Sequence, residues 1–263
     1  MADHIPLITL AKAYAFNRFC IERALDNQIV VGVSEEGLTI VPCNRKRADD
    51  HILFIFNDAV ESCLTAFTDV CVLRDIIVGH KVLVENKQIQ NIFDQIMKIR
   101  QELSKTPGST KQPKDVEELG YMAANIFAVN RLYITFTREN PKLEKKETDE
   151  YVLNNFDSTV KINLAVRYYL EALENIIMGC MDWKEDELAA LMESHREDYR
   201  VNCGPCPNRS DGIEEQPQPE PYELDDAEVI ASLAERLGLY DNNQYLYEAV
   251  PENVVPFATP GKH

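Results

Sequence analysis

Residues 56–79 read FNDAVESCLTAFTDVCVLRDIIVG, and residues 156–179 read FDSTVKINLAVRYYLEALENIIMG. The two stretches align without a gap. Phe56, Val60, Leu64, Leu73, Ile76, Ile77 and Gly79 meet Phe156, Val160, Leu164, Leu173, Ile176, Ile177 and Gly179. In both, apolar residues recur at three- and four-residue spacing, the period of one face of an α-helix. Just upstream, Asp49 and Asp50 lie on Asp149 and Glu150, and Leu53 lies on Leu153. A second block aligns at an offset 13 residues larger, where Ala15, Asn17, Arg18 and Ile21 meet Ala128, Asn130, Arg131 and Ile134. Amphipathic helices resemble one another because few residue types fill a core. Two blocks in the same order, with the length difference explained, instead predict a duplicated helical unit.

The explanation of that difference lies between the blocks. Ile29 to Val33 and Leu38 to Val41 are β-branched runs joined by a turn ending in Gly37. They predict a β-hairpin at about 29–41, inserted only in the first copy. The expected fold is mainly α: a helical bundle of two diverged copies, with this hairpin and an acidic C-terminal tail. Each copy has an apolar face that the other covers, as in a homodimer with fused subunits. Arg18 and Arg131 are expected to pair with the acidic residues at 49–50 or 149–150 at a helix start.

Working outward, helices are expected over Leu7 to Leu25, from Asp49 to about Val78 with a break near Asn57-Asp58, and over about Glu85 to Ser104. Asn44 to Arg47 reads as a basic loop. Thr106 to Pro113 is a linker. Helices follow over Asp115 to Arg138, up to about Met181, and over Lys184 to Arg200, with a charged stretch at Lys142 to Glu150. The domain organisation is therefore one repeat at 1–106, a second at 114–201, a linker at 202–224, and a short amphipathic helix with a tail at 225–263.

The formal charge is −17, and from residue 213 onward eleven acidic residues face only Arg236 and Lys262. Such a surface repels phosphate backbones and disfavours nucleic acid as a partner. The seven cysteines form no disulfide-like framework, no apolar run approaches a bilayer's thickness, and the N-terminal residues carry no secretory pattern. These features predict a soluble cytoplasmic chain with no membrane partner.

Cys203-Gly204-Pro205-Cys206 has thioredoxin-like spacing, but no βαβ pattern surrounds it. An ordinary turn is the plain reading, with a zinc site as the alternative. The carboxylates carry more chemistry. Glu147 and Glu150 form ExxE, and Glu171 and Glu174 form another. On facing helices two such pairs could hold Mg²⁺. This arrangement resembles the all-α nucleoside-triphosphate pyrophosphatases of the MazG and dimeric dUTPase group, whose signature is ExxE followed by ExxD; Glu174 stands where that family has Asp. Met192, His195 and Tyr199 look like the end of that family's last helix. The resemblance implies a degenerate Mg-dependent pyrophosphatase, with Arg131 or Lys161 offsetting triphosphate charge.

The leading expectation is instead a non-enzymatic protein-interaction or regulatory module without a cofactor. Gln216 to Pro221 reads as an extended linker, and Val229, Ile230, Leu233 and Leu237 lie on one side of the short helix after it. Such a segment can dock in another protein's groove. The alternative is that these four side chains fold back on the body.

Overall fold

A computed structural model describes residues 6–34, 37–105, 112–140 and 142–203 of the chain. Among the described residues there are seven helices and one hairpin, in the order α1 (Leu7–Leu25), β1 (Gln28–Ser34), β2 (Gly37–Pro42), α2 (Arg45–Val78), α3 (Lys81–Val84), α4 (Lys87–Ser104), α5 (Val116–Glu139), α6 (Lys145–Met181) and α7 (Glu185–Cys203). The mainly helical class and the single hairpin agree with the sequence reading. No helix of the described residues is long and apolar enough to cross a membrane.

Local chemistry explains the helix starts. Asn44 accepts a hydrogen bond from the Arg47 amide at 2.9 Å and caps α2. The basic stretch expected to be a loop is therefore the first turn of that helix. Asn86 caps α4 at 2.8 Å through the Gln88 amide. Asp115 caps α5 through Glu118, whose carboxylate accepts the Lys114 amide at 2.6 Å. The expected break near Asn57-Asp58 is absent, and α2 runs on for 34 residues. Neither residue is a breaker of the glycine or proline kind, and Ile55, Phe56 and Ala59 are buried on either side of them. The charged stretch at 142–150 likewise belongs largely to α6, a helix of 37 residues or about 55 Å.

α2 and α6 lie side by side and run in the same direction. Their N-terminal parts share one apolar cluster with α1 and the end of α5, built around Ile21, Ile52, Phe56, Ile134, Val152 and Phe156. Their C-terminal parts share a larger cluster with α4, α5 and α7, built around Phe67, Leu73, Ile96, Leu119, Phe127, Leu173 and Ile177. Both clusters draw on chain from before and after the 106–113 segment, so the two halves interlock.

Equivalent positions in the long helices meet the same fate. Ile52 and Val152, Phe56 and Phe156, Cys63 and Asn163, Leu73 and Leu173, and Ile77 and Ile177 are all buried. The hairpin pairs Ile29 with Val41 and Val33 with Leu38, with a bulge between Val30 and Gly32. β1 lies against α1 and α2. Gly37 sits at φ 120°, a conformation that suits glycine at this turn.

Candidate functional site

The four glutamates of the metal expectation lie on one helix, α6. Glu150 and Glu171 are 21 residues apart, about 32 Å along a continuous helix. The chain does not bring the two pairs together, because the pairs would need separate facing helices to converge. Glu147 and Glu150 are exposed near the helix start, where Glu150 pairs with Lys146 at 3.7 Å. Among the described residues no group of three or more His, Cys, Asp or Glu side chains is placed to hold a metal ion. The tail residues Val229, Ile230, Leu233 and Leu237 lie outside the described residues, as does Cys206.

Glu171 and Glu174 line a cleft of about 370 Å³ between α1, α2, α6 and α7. Leu7, Leu10, Leu170, Met178, Leu188 and Met192 form its apolar walls. Glu185 adds a third glutamate, and Asp69, Arg167 and Arg196 add an ionic cluster. Asp69 is 5% exposed and accepts a hydrogen bond from Arg196 Nε at 2.7 Å. Arg167 approaches the same carboxylate at 3.9 Å and donates to the Ser62 carbonyl at 3.3 Å. Beneath it, Asn163 Nδ2 donates to the Tyr14 hydroxyl, which donates to Ser62 Oγ at 3.3 Å. Burial pushes the Tyr14 phenol up to about 12, helped by the nearby Cys63 and Asp58 and opposed by its Ser62 bond and Arg167. Such a hydroxyl stays protonated, so it cannot serve as the base that would activate Ser62 as a nucleophile. This cluster welds α7 to α2 and α6.

The arginines pair differently from the expectation. Arg18 bonds Asp157 on α6 at 2.9 Å, with Glu22 as a second partner. Burial pushes the Asp157 carboxyl up despite that arginine. Asp49 and Asp149, at equivalent positions of α2 and α6, share Arg138 instead. Its Nε donates to Asp49 at 2.7 Å, and its Nη1 lies 3.7 Å from Asp149. Both helix starts lie at the end of α5 that carries Arg138, whereas Arg131 is two turns, about 10 Å, short of it. Arg131 makes no ion pair among the described residues.

The largest feature missed by the sequence reading is on α5. Leu132, Tyr133 and Phe136 are 69%, 46% and 60% exposed, and Leu143 in the following turn is 40% exposed. The i, i+1, i+4 spacing puts the three helix residues on one face. The Tyr133 ring meets Tyr151 of α6 at 6.3 Å between centroids. A signal was present: α5 is apolar on its buried side, through Ile126, Phe127 and Ile134, and again on this side. A helix apolar on more than one face needs more than one partner.

No protein-family model, no curated protein and no solved structure matches this chain.

Proposed function

We propose that this chain is a non-enzymatic interaction or regulatory module, and that the apolar face of α5 is where it meets its partner. The observation that carries this reading is the exposure of Leu132, Tyr133 and Phe136 together on one helix face. Exposed apolar side chains clustered in this way mark interaction surfaces, and aromatic residues dominate the binding energy of such surfaces. The acidic segment after α7, with Val229, Ile230, Leu233 and Leu237, supplies a second contact element. Phe136→Asp should abolish retention of a co-purifying partner while leaving the thermal melting of the body unchanged, since Phe136 lies outside both core clusters. Retention equal to that of the unaltered chain sinks the reading.

We also infer that the two halves derive from one helical unit. The support is the aligned blocks, the shared burial pattern of α2 and α6, and the order helix then long helix in each half. The hairpin is then the insertion that distinguishes the first half. An experimental structure in which residues 49–79 and 149–179 do not superpose in matching surroundings would overturn this.

A further inference from the structure

We propose that, in the free protein, the apolar face of α5 is covered by the chain's own segment 225–237. This deepens the reading of α5 as a docking face, by naming the occupant that a partner must displace. Three observations favour the chain's own tail over any other cover.

The first is shape. Leu132, Tyr133 and Phe136 form a short apolar ridge on a helix. Val229, Ile230, Leu233 and Leu237 recur at the spacing that puts them on one side of a second helix. Two helices bury such ridges against each other.

The second is reach. The described chain ends at Cys203, which leaves 21 residues before Asp225. Extended, they span roughly 70 Å, more than the length of the longest helix of the bundle. The linker can deliver the segment to any face of the body. A flexible tether of this size holds it at an effective concentration of about a millimolar.

The third is charge. The tail from residue 213 carries eleven acidic and two basic side chains, in a chain of net charge −17. Most of the body therefore repels it. The end of the bundle beside the α5 face is different, because residues 44–50 and 138–150 together carry seven basic and seven acidic side chains. Arg131 adds a further cation next to Leu132 and makes no ion pair among the described residues. Asp225, Asp226 and Glu228, at the start of the segment, are suited to pair with it.

The test is covalent footprinting of Leu132, Tyr133 and Phe136 with a diffusing carbene or hydroxyl radical, read by mass spectrometry on the whole chain. A segment that binds with a dissociation constant of about 0.1 mM, held at about a millimolar, is docked roughly nine-tenths of the time and cuts labelling by about tenfold. Ile230→Asp combined with Leu233→Asp should restore that labelling, and Arg131→Glu should restore part of it. Labelling that is equal in the unaltered chain and the double variant overturns the proposal. So does protection that disappears on dilution, which would assign the cover to a second copy of the chain. Either result leaves the α5 face as a docking surface, because that reading is tested separately by Phe136→Asp and partner retention.

Discussion

α1 and α5 carry the same residues at Ala15 and Ala128, Asn17 and Asn130, Arg18 and Arg131, and Ile21 and Ile134, yet their outer faces differ. In α1 the face near the C-terminus meets the hairpin. Cys20 is buried at 4% exposure, in an apolar cluster against which Val30 of β1 packs. In α5 the corresponding position is Tyr133, which is 46% exposed. The chain passes from α1 to α2 through the hairpin, but from α5 to α6 through the short turn 140–144. The hairpin thus lies against this face of α1, whereas the corresponding face of α5 stays exposed among the described residues.

The interior differs as well. Cys63 and Phe67 of α2 are packed in an apolar layer, whereas Asn163 and Arg167 of α6 stand at the equivalent positions. Asn163 and Arg167 serve the polar network beneath the cleft. At this level the first half packs Cys63 and Phe67 in the core and also lends Tyr14, Ser62 and Asp69 to that network. The second uses hydrogen bonds that also hold α7.

If the halves are equivalent where their sequences agree, the two buried phenylalanines should behave alike. Phe56→Ala and Phe156→Ala, each at 1% exposure, should each cost about 3–5 kcal/mol in chemical denaturation. A cost below about 1 kcal/mol for either one would break the comparison at its core.

The shared arginine sharpens it next. Arg138→Met should cost about 2 kcal/mol, because it strips a partner from both Asp49 and Asp149. The figure is below that for a fully buried pair, since these carboxylates are 24% and 19% exposed and keep Arg45 and Lys145 nearby. Arg131→Met should change stability by less than about 0.5 kcal/mol. Equal costs for the two would mean that Arg138 does not tie the starts of α2 and α6 together as described.

Alkaline pH should expose the first half. Cys20, Cys63 and Cys71 are its buried thiols, while Cys180 in the second half is exposed. Burial pushes all three up, Cys20 and Cys71 to about 12, with Arg74 partly opposing the effect at Cys71. In the unfolded chain they ionise near their ordinary value of about 8.5. Their raised values leave stability intact below that pH. Above it the unfolded state loses protons that the folded state keeps, so stability falls as pH rises. The loss is about 1.4 kcal/mol per pH unit for each thiol. Between pH 7 and about 9.5, Cys63→Val should therefore lose about 1.4 kcal/mol less than the unaltered chain, read from denaturation midpoints. An unchanged pH profile would refute the burial of that thiol.

The smallest effect concerns Asn163, which is fully buried and whose Oδ1 has no hydrogen-bond partner. Asn163→Cys copies the first half's residue. It should leave stability within about 1 kcal/mol, because removing an unsatisfied carbonyl offsets the lost bond to Tyr14. A larger loss would show that the network beneath the cleft is held chiefly by this side chain.

Much of the scaffold was readable from residues close together in the chain. The β-branched runs at Ile29 to Val33 and Leu38 to Val41, with Gly37 between them, marked the hairpin, and the apolar spacing from Phe56 to Gly79 and from Phe156 to Gly179 marked the long helices. Arg45 to Arg47 read as a loop because capping by Asn44 depends on one side chain reaching one amide, which charge composition does not display. The glutamate pairs were placed on facing helices because their spacing, at 20 or so residues, is compatible with either a turn between them or none. Continuous helical packing of Val152, Phe156, Val160 and Val166 against α2 decided for none.

The sequence by itself determined which segments are helical and which faces of them are apolar, because those properties follow from neighbours three or four residues away. Only the tertiary structure decided which apolar face is covered. Tyr133 and Ile134 are adjacent and both apolar in character, yet one is open and the other is fully buried. That choice rests on what packs from distant parts of the chain. The same holds for Arg138, whose partners lie 89 and 11 residues away on two different helices. Its role became visible only when α2, α5 and α6 met at one end of the bundle.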